Sequence, residues 1–209
     1  MRIESLKTTP DRAGRYWLSL EDGTKLALYR QTVEDFGLYA GLELTDTELQ
    51  KLYDAAGAMS AKMRAVRIVT ASSVSRKDLE ERLVKKGEDP AQAAEAVAWM
   101  EQMHLVDDAE TARQIVSRCV ARGYGINRAK QTLYEKKIPK QYWEAALAEF
   151  PDQTDVILSF LRAHLRSADD PKQVKKTIDA LLRRGYTYPE VRSAMGRMSL
   201  DTDEFPEEM

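Results

Sequence analysis

Three pairs of adjacent basic residues are the feature of this sequence best suited to binding chemistry. They are Lys85-Lys86, Lys136-Lys137 and Arg183-Arg184, and they recur at nearly constant intervals. We expect each pair to precede the turn that ends a helix, where the helix dipole favours cations in any protein. A repeated row of cations would equally suit a partner that carries regularly spaced acidic side chains or phosphates. Both interpretations stay open from the residues alone.

Residue types that could support catalysis or metal binding are scattered. Cys119 has no base beside it and stands in an apolar stretch, so we expect a small buried hydrophobic side chain. His104 and His164 are far apart in the chain. Asp107 and Asp108 have no further ligand at metal-binding spacing and are better placed to cap a helix. The sequence therefore predicts a binding protein that has no cofactor and is not an enzyme.

The composition fits one or two ordinary domains. The chain has 209 residues, of which 43% are hydrophobic and 32% charged. It contains no apolar run long enough for a signal peptide or a membrane span, and its single cysteine cannot form an internal disulfide. We expect a cytoplasmic monomer that does not contact membranes.

Charge is unevenly distributed along the chain. Residues 1–58 hold seven Lys and Arg against ten Asp and Glu, residues 59–198 hold 25 against 19, and residues 199–209 hold none against five. These give −3, +6 and −5, which sum to the net charge of −2. A basic central part suits an anionic protein surface or a phosphate backbone, although a solvated helical surface explains it equally well.

The first 58 residues differ in pattern from the rest. Leucines alternate with other residues from Tyr16 to Leu20 and again from Leu26 to Leu28, on either side of a turn that contains Gly23. This pattern predicts a β-hairpin, and residues 2–7 are expected to add a third strand. Short helical pieces should follow, beginning at Thr45, and close this small β-rich head near Gly57.

From about residue 60 the pattern is helical and repeats. The segment around Leu83 recurs around Leu133 and Leu181, at offsets of 50 and 48 residues. With an earlier helix in each unit, the fold class predicted is mainly α, an elongated array of three tandem three-helix repeats with a small N-terminal β-rich extension. The predicted segments are the head at 1–58, repeats at 59–103, 104–150 and 151–198, and a disordered acidic tail at 199–209.

Two local features favour a structural role over a functional one. Arg122-Gly123-Tyr124-Gly125 lacks the preceding strand and third glycine of a dinucleotide-binding loop, so we expect a helix end followed by a helix that Asn127 caps. The aromatic side chains of Trp99, Trp143, Tyr134 and Tyr142 stand at helical spacing and are expected to lie in the core.

Several of these segments together resemble the RecX family of regulatory proteins. Residues 75–83 followed by Lys85-Lys86-Gly87 look like the first-repeat pattern of that family, and residues 104–108 look like its apolar-Asp-Asp junction. The Arg-rich segment 118–128 and Lys136-Lys137-Ile138 are similar to motifs of its second repeat. The resemblance covers roughly residues 60–198. Lys137 replaces the usual glycine, so a different helix cap is expected there.

The resemblance implies a partner and a function. RecX proteins bind the RecA–DNA filament and modulate, mainly by inhibition, its recombinase, ATPase and co-protease activities in homologous recombination, DNA repair and the SOS response. Weak binding of single- or double-stranded DNA is expected beside it. The alternative is a helical-repeat module that acts directly on DNA. The residues expected to contact RecA or DNA are Lys85, Lys86, Arg118, Arg122, Arg128, Lys130, Lys136, Lys137, Arg183 and Arg184.

Overall fold

A computed structural model describes residues 1–165 and 170–203, with the side chains described through residue 198. The fold is mainly helical with a small N-terminal three-stranded sheet, as the sequence predicted. The chain forms two compact units, Met1–Asp107 and Asp108–Met209. Among the described helices, none is both long and apolar enough to cross a membrane.

The first unit begins with an antiparallel sheet in the order β1-β2-β3. Leu18 of the middle strand pairs with Leu26, which confirms the predicted hairpin, and the first strand adds the predicted third. Ile3, Leu20 and Leu28, one from each strand, are fully buried in the core cluster of this part of the chain. The strands are β1 (Ile3–Leu6), β2 (Arg15–Leu20) and β3 (Lys25–Tyr29).

One long helix continues from the head into the helical part of the first unit. After the short helix α1 (Arg30–Asp35), α2 (Asp46–Ala71) begins with a capping box between Thr45 and Glu48. Gly57, where the head was expected to close, lies inside α2 against the side chain of Gln92, and a Cβ there would overlap that side chain. The predicted boundary at residue 58 therefore falls within a continuous helix, because close packing, not chain reversal, requires this glycine.

Eight further helices follow in the described part of the chain, interrupted by one turn of 3-10 helix at Lys140–Tyr142. The first unit contains α3 (Arg76–Lys85) and α4 (Pro90–Gln102). The second contains α5 (Asp108–Ala121), α6 (Ile126–Glu135), α7 (Trp143–Ala148), α8 (Thr154–His164), α9 (Pro171–Arg183) and α10 (Tyr188–Asp203). From α2 onward these helices succeed one another as three sets of three. The proposed segment boundaries stay predictions. Of the predicted disordered tail at 199–209, residues 199–203 lie in α10, and residues 204–209 lie outside the described residues.

Helix starts follow the predicted capping pattern except at one position. Ser75 accepts a hydrogen bond from the Asp78 amide, and α5 begins at the predicted acidic pair. The prediction of Asn127 as a cap is wrong, because α6 begins after Gly125. A Cβ at Gly125 would overlap the backbone of Gly185, so only glycine fits there.

The core confirms most, but not all, of the predicted buried residues. Cys119 is 5% exposed within the cluster that α5, α6 and α7 share, as expected for a small apolar side chain. Trp99, Trp143 and Tyr142 pack against core clusters as partly buried side chains. Tyr134 was expected in the core, but it is 73% exposed because its position on α6 faces solvent.

Candidate partner-binding surface

The three helices that carry the basic pairs end in the same way. In each, one capping residue is followed by a residue in the left-handed conformation: Gly87 (φ 91°), Lys137 (φ 57°) and Gly185 (φ 92°). Lys137 is thus the turn residue itself, and Glu135 occupies the position held by Lys85 and Arg183 in the other helices. The prediction that every pair precedes its turn is wrong for Lys136-Lys137, which is displaced by one residue.

The hydrogen bonds of these turns explain why a lysine can replace the glycine. The Lys137 amide donates to the Tyr134 carbonyl at 2.9 Å, and the Ile138 amide donates to the Leu133 carbonyl at 3.0 Å. The same two bonds close the turn at Gly185, at 2.9 and 3.2 Å. Lys137 therefore uses the usual glycine-type cap, contrary to the expectation of a different one. Ile138 is buried, and its apolar packing helps to hold Lys137 in the left-handed conformation.

The turn at Gly185 contacts another turn of the second unit, the one between α5 and α6. The amide of Gly125 donates to the Arg184 carbonyl at 2.9 Å, and the amide of Asn127 donates to the Gly185 carbonyl at 3.1 Å. The Tyr186 hydroxyl lies 2.9 Å from the Gly123 carbonyl oxygen. We call this contact between the α5–α6 and α9–α10 turns the arginine junction, because its segments carry Arg122, Arg128, Arg183 and Arg184.

The junction holds its arginines on a rigid backbone. Gly185 packs so closely against Arg128 that a Cβ would overlap the Arg128 backbone. The Arg128 side chain bonds to Gln131 at 3.0 Å and lies 3.9 Å from the Glu135 carboxylate. The Arg184 guanidinium lies over the Phe160 ring, 4.9 Å from its centroid. These contacts order two of the four cations without burying them, which suits an anionic partner at the surface.

The other predicted residues lie elsewhere. Lys130 and Arg118 are exposed on α6 and α5, and the Arg118 guanidinium donates to Gln114 at 3.1 Å. Lys85 and Lys86 are exposed at the end of α3 and belong to the first unit, whereas the other eight belong to the second. The structure thus places four of the ten on the segments that meet in the arginine junction. A single row along all three repeats stays a prediction.

Three arginines that line a cleft with Lys86 were not predicted as binding residues. They are Arg64 and Arg67 of α2 and Arg82 of α3. The spacing of three residues between Arg64 and Arg67 places both on one side of a helix, and this was the available signal. Separately, within the described part of the chain, the histidine, cysteine and acidic side chains form no group of three suited to a metal ion.

Two RecX proteins are similar in sequence to this chain, and one of them is similar along nearly its whole length. The regulatory protein RecX of Clostridioides difficile (strain 630) is 26% identical over 210 residues, which span 98% of this chain and 97% of the relative. The chain is similar to RecX regulatory proteins, which confirms the resemblance found in its motifs. The regulatory protein RecX of Vibrio parahaemolyticus is 27% identical over 141 residues, spanning 66% of this chain and 90% of the relative. No family model matches the chain.

Solved RecX structures have the same fold. A crystal structure of regulatory protein RecX covers 93% of this chain and 98% of its own, with a TM-score of 0.67 and 17% identity. RecX from Lactobacillus salivarius covers 70% of this chain and 99% of its own, with a TM-score of 0.63 and 19% identity. The fold class predicted from the repeats is therefore the RecX fold. The RecX relatives are named regulatory proteins, and the ten partner-binding residues stay a prediction.

Proposed function

We propose that this RecX-family protein binds the RecA filament on DNA and inhibits its recombinase, ATPase and co-protease activities. The observation that carries the proposal is the arginine junction, where two hydrogen-bonded turns present four cations from different segments of one unit. Arg122 and Arg183 are exposed, and Arg128 and Arg184 are ordered by neighbouring side chains. Such a surface suits acidic side chains of a protein partner.

The proposed action needs binding alone. A protein that contacts neighbouring RecA subunits would compete for DNA access and restrain the movements between subunits that ATP turnover requires. The backbone contacts of the junction make the cations a preorganised surface, so little ordering entropy opposes binding. The protein needs no cofactor for this action.

Co-sedimentation with RecA filaments tests the proposal. RecA assembled on single-stranded DNA is pelleted with the protein, and the same DNA without RecA serves as the comparison. We expect the protein to pellet with filaments and an Arg122→Gln/Arg183→Gln variant to pellet markedly less. A Lys175→Gln/Arg192→Gln variant is the matched control, since it removes two exposed cations outside the junction.

The two comparisons separate the proposal from its rival. Equal recovery on filaments and on DNA alone would favour a module that acts directly on DNA. Equal losses in both double variants would indicate a general charge effect and would contradict a specific role for the arginine junction.

A further inference from the structure

A cleft between the second half of α2 and α3 concentrates positive charge in the first unit. It is lined by Arg64, Arg67, Ile68, Ala71, Ser72, Arg82 and Lys86. The four cations come from two helices that pack against the same core cluster, so their backbones are fixed relative to one another. This cleft is separate from the arginine junction, which lies in the second unit.

Two of the cations are compensated by carboxylates of the same unit. The Arg64 guanidinium lies 2.7 Å from the Glu88 carboxylate, which is largely buried and also accepts a hydrogen bond from Ser60 at 3.1 Å. The Arg82 guanidinium lies 2.8 Å from the Asp78 carboxylate. Arg64 also donates to the Lys86 carbonyl at 2.7 Å, which joins the two walls of the cleft. These pairs fix the geometry of the walls.

The other two cations provide the excess charge. Arg67 is exposed, and the bonds it makes go to neutral groups, the Ala13 carbonyl at 2.7 Å and the Tyr29 hydroxyl at 3.3 Å. Lys86 is exposed at the end of α3. The described residues thus give the cleft two more cations than carboxylates. The carbonyl ends of α2 and α3 each oppose an anion by about half a charge, and together they offset about half of this excess.

We infer that this cleft binds the phosphodiester backbone of a nucleic-acid strand. An anchored guanidinium offers paired donors to phosphate oxygens, and the adjacent ammonium adds a mobile charge. Because the cleft is open to solvent, a continuous strand can pass through it. The excess of two cations suits successive phosphates better than a single carboxylate. The inference does not depend on binding of RecA.

Fluorescence anisotropy with a labelled oligothymidylate, in the absence of RecA, tests this inference. We expect Lys86→Gln to weaken binding about three- to fivefold and to lower the salt-dependence slope by about 0.7. Arg67→Gln should have a similar effect. Lys77→Gln is the matched control, because it removes an exposed charge of α3 outside the cleft and should change affinity by less than about twofold.

Each outcome decides the matter. Equal effects of Lys77→Gln and Lys86→Gln, or no binding by the wild-type chain, would overturn the inference. Displacement of the oligonucleotide by oligoglutamate of the same charge at equal concentration would replace nucleic acid with an acidic protein segment as the ligand. If Arg67→Gln lowers the melting temperature, its affinity is not interpreted, and the comparison of the two lysine variants decides whether the cleft binds nucleic acid. Failure here with intact RecA binding would leave the proposed function standing.

Discussion

The Tyr186 hydroxyl lies 2.9 Å from the carbonyl oxygen of Gly123, 63 residues earlier in the chain, and donates a hydrogen bond to it. The same hydroxyl lies 2.8 Å from the Gln153 carboxamide oxygen. A phenol has one proton, so both contacts are satisfied only when the carboxamide turns its nitrogen toward Tyr186. That rotation also gives the buried Gln153 nitrogen a partner. One buried hydroxyl thus joins the α5–α6 turn, the start of α8 and the α9–α10 turn.

Replacement of Tyr186 by phenylalanine should destabilise the second unit by about 1–2 kcal/mol, since the Gly123 carbonyl and Gln153 lose a buried partner. Urea unfolding measured by circular dichroism gives the change in the free energy of unfolding. Tyr188→Phe is the control, because that side chain is 55% exposed and its loss should cost less than about 0.5 kcal/mol. Equal losses in both variants would contradict the role of the buried hydroxyl.

The same pair of proteins should differ in pH dependence. Burial raises the pKa of Tyr186 above its ordinary value of 10.0; the nearby Arg184 charge lowers it by a smaller amount, and the Glu190 charge raises it slightly further. The unfolded chain therefore loses this proton before the folded chain does. The stability advantage of wild type over Tyr186→Phe should be constant below pH 10 and fall as pH rises above it. Unfolding curves over this range check the expectation, and a constant difference throughout would contradict it.

Two glycines with the same backbone conformation should respond differently to alanine. Gly87 has φ 91° and open space where a Cβ would stand, so Gly87→Ala should cost about 1 kcal/mol for backbone strain alone. Gly185 has φ 92°, and a Cβ there would overlap the Arg128 backbone. Gly185→Ala should cost about 2–4 kcal/mol. Thermal unfolding measures the loss of stability in both variants. Similar losses would show that the α5–α6 and α9–α10 turns can move apart at little cost in free energy.

Lys137→Gly should stabilise the protein by about 0.5–1 kcal/mol. Lysine at φ 57° carries left-handed strain that glycine lacks, which outweighs the greater freedom of glycine in the unfolded chain. Lys136→Gly is the matched control and should destabilise, because Lys136 has φ −86°. Chemical denaturation of the two variants measures both changes. A loss of stability in Lys137→Gly would contradict the strain argument.

Local patterns predicted the elements of this fold better than their contacts. The alternation around Leu18 and the cap at Ser75 are sequence-local signals, and both predicted structures are present. Gly125 is required because it packs against the backbone of Gly185, 60 residues away, and nothing near it in the sequence indicates that contact. Gly57 likewise packs against Gln92, a residue distant in sequence, so the local pattern did not indicate that α2 continues through it.

The candidate site was predictable only in part. The sequence predicted the helix ends at Lys85-Lys86 and Arg183-Arg184, because basic residues there follow from spacing and dipole, but it misplaced Lys136-Lys137 by one residue. It did not predict that the turns carrying Arg122 and Arg184 contact each other, since the backbone bonds that join these turns link distant segments. It also missed Arg67, because that side chain is anchored on Ala13, which lies in the distant loop between β1 and β2.

ATP hydrolysis by RecA on single-stranded DNA, measured with and without this protein, tests the proposed function most directly. We predict strong inhibition at amounts well below one copy per RecA subunit, because one bound molecule restrains neighbouring subunits. The Arg122→Gln/Arg183→Gln variant should inhibit less than the Lys175→Gln/Arg192→Gln control. Unchanged ATP hydrolysis with the wild-type chain in excess would contradict the account.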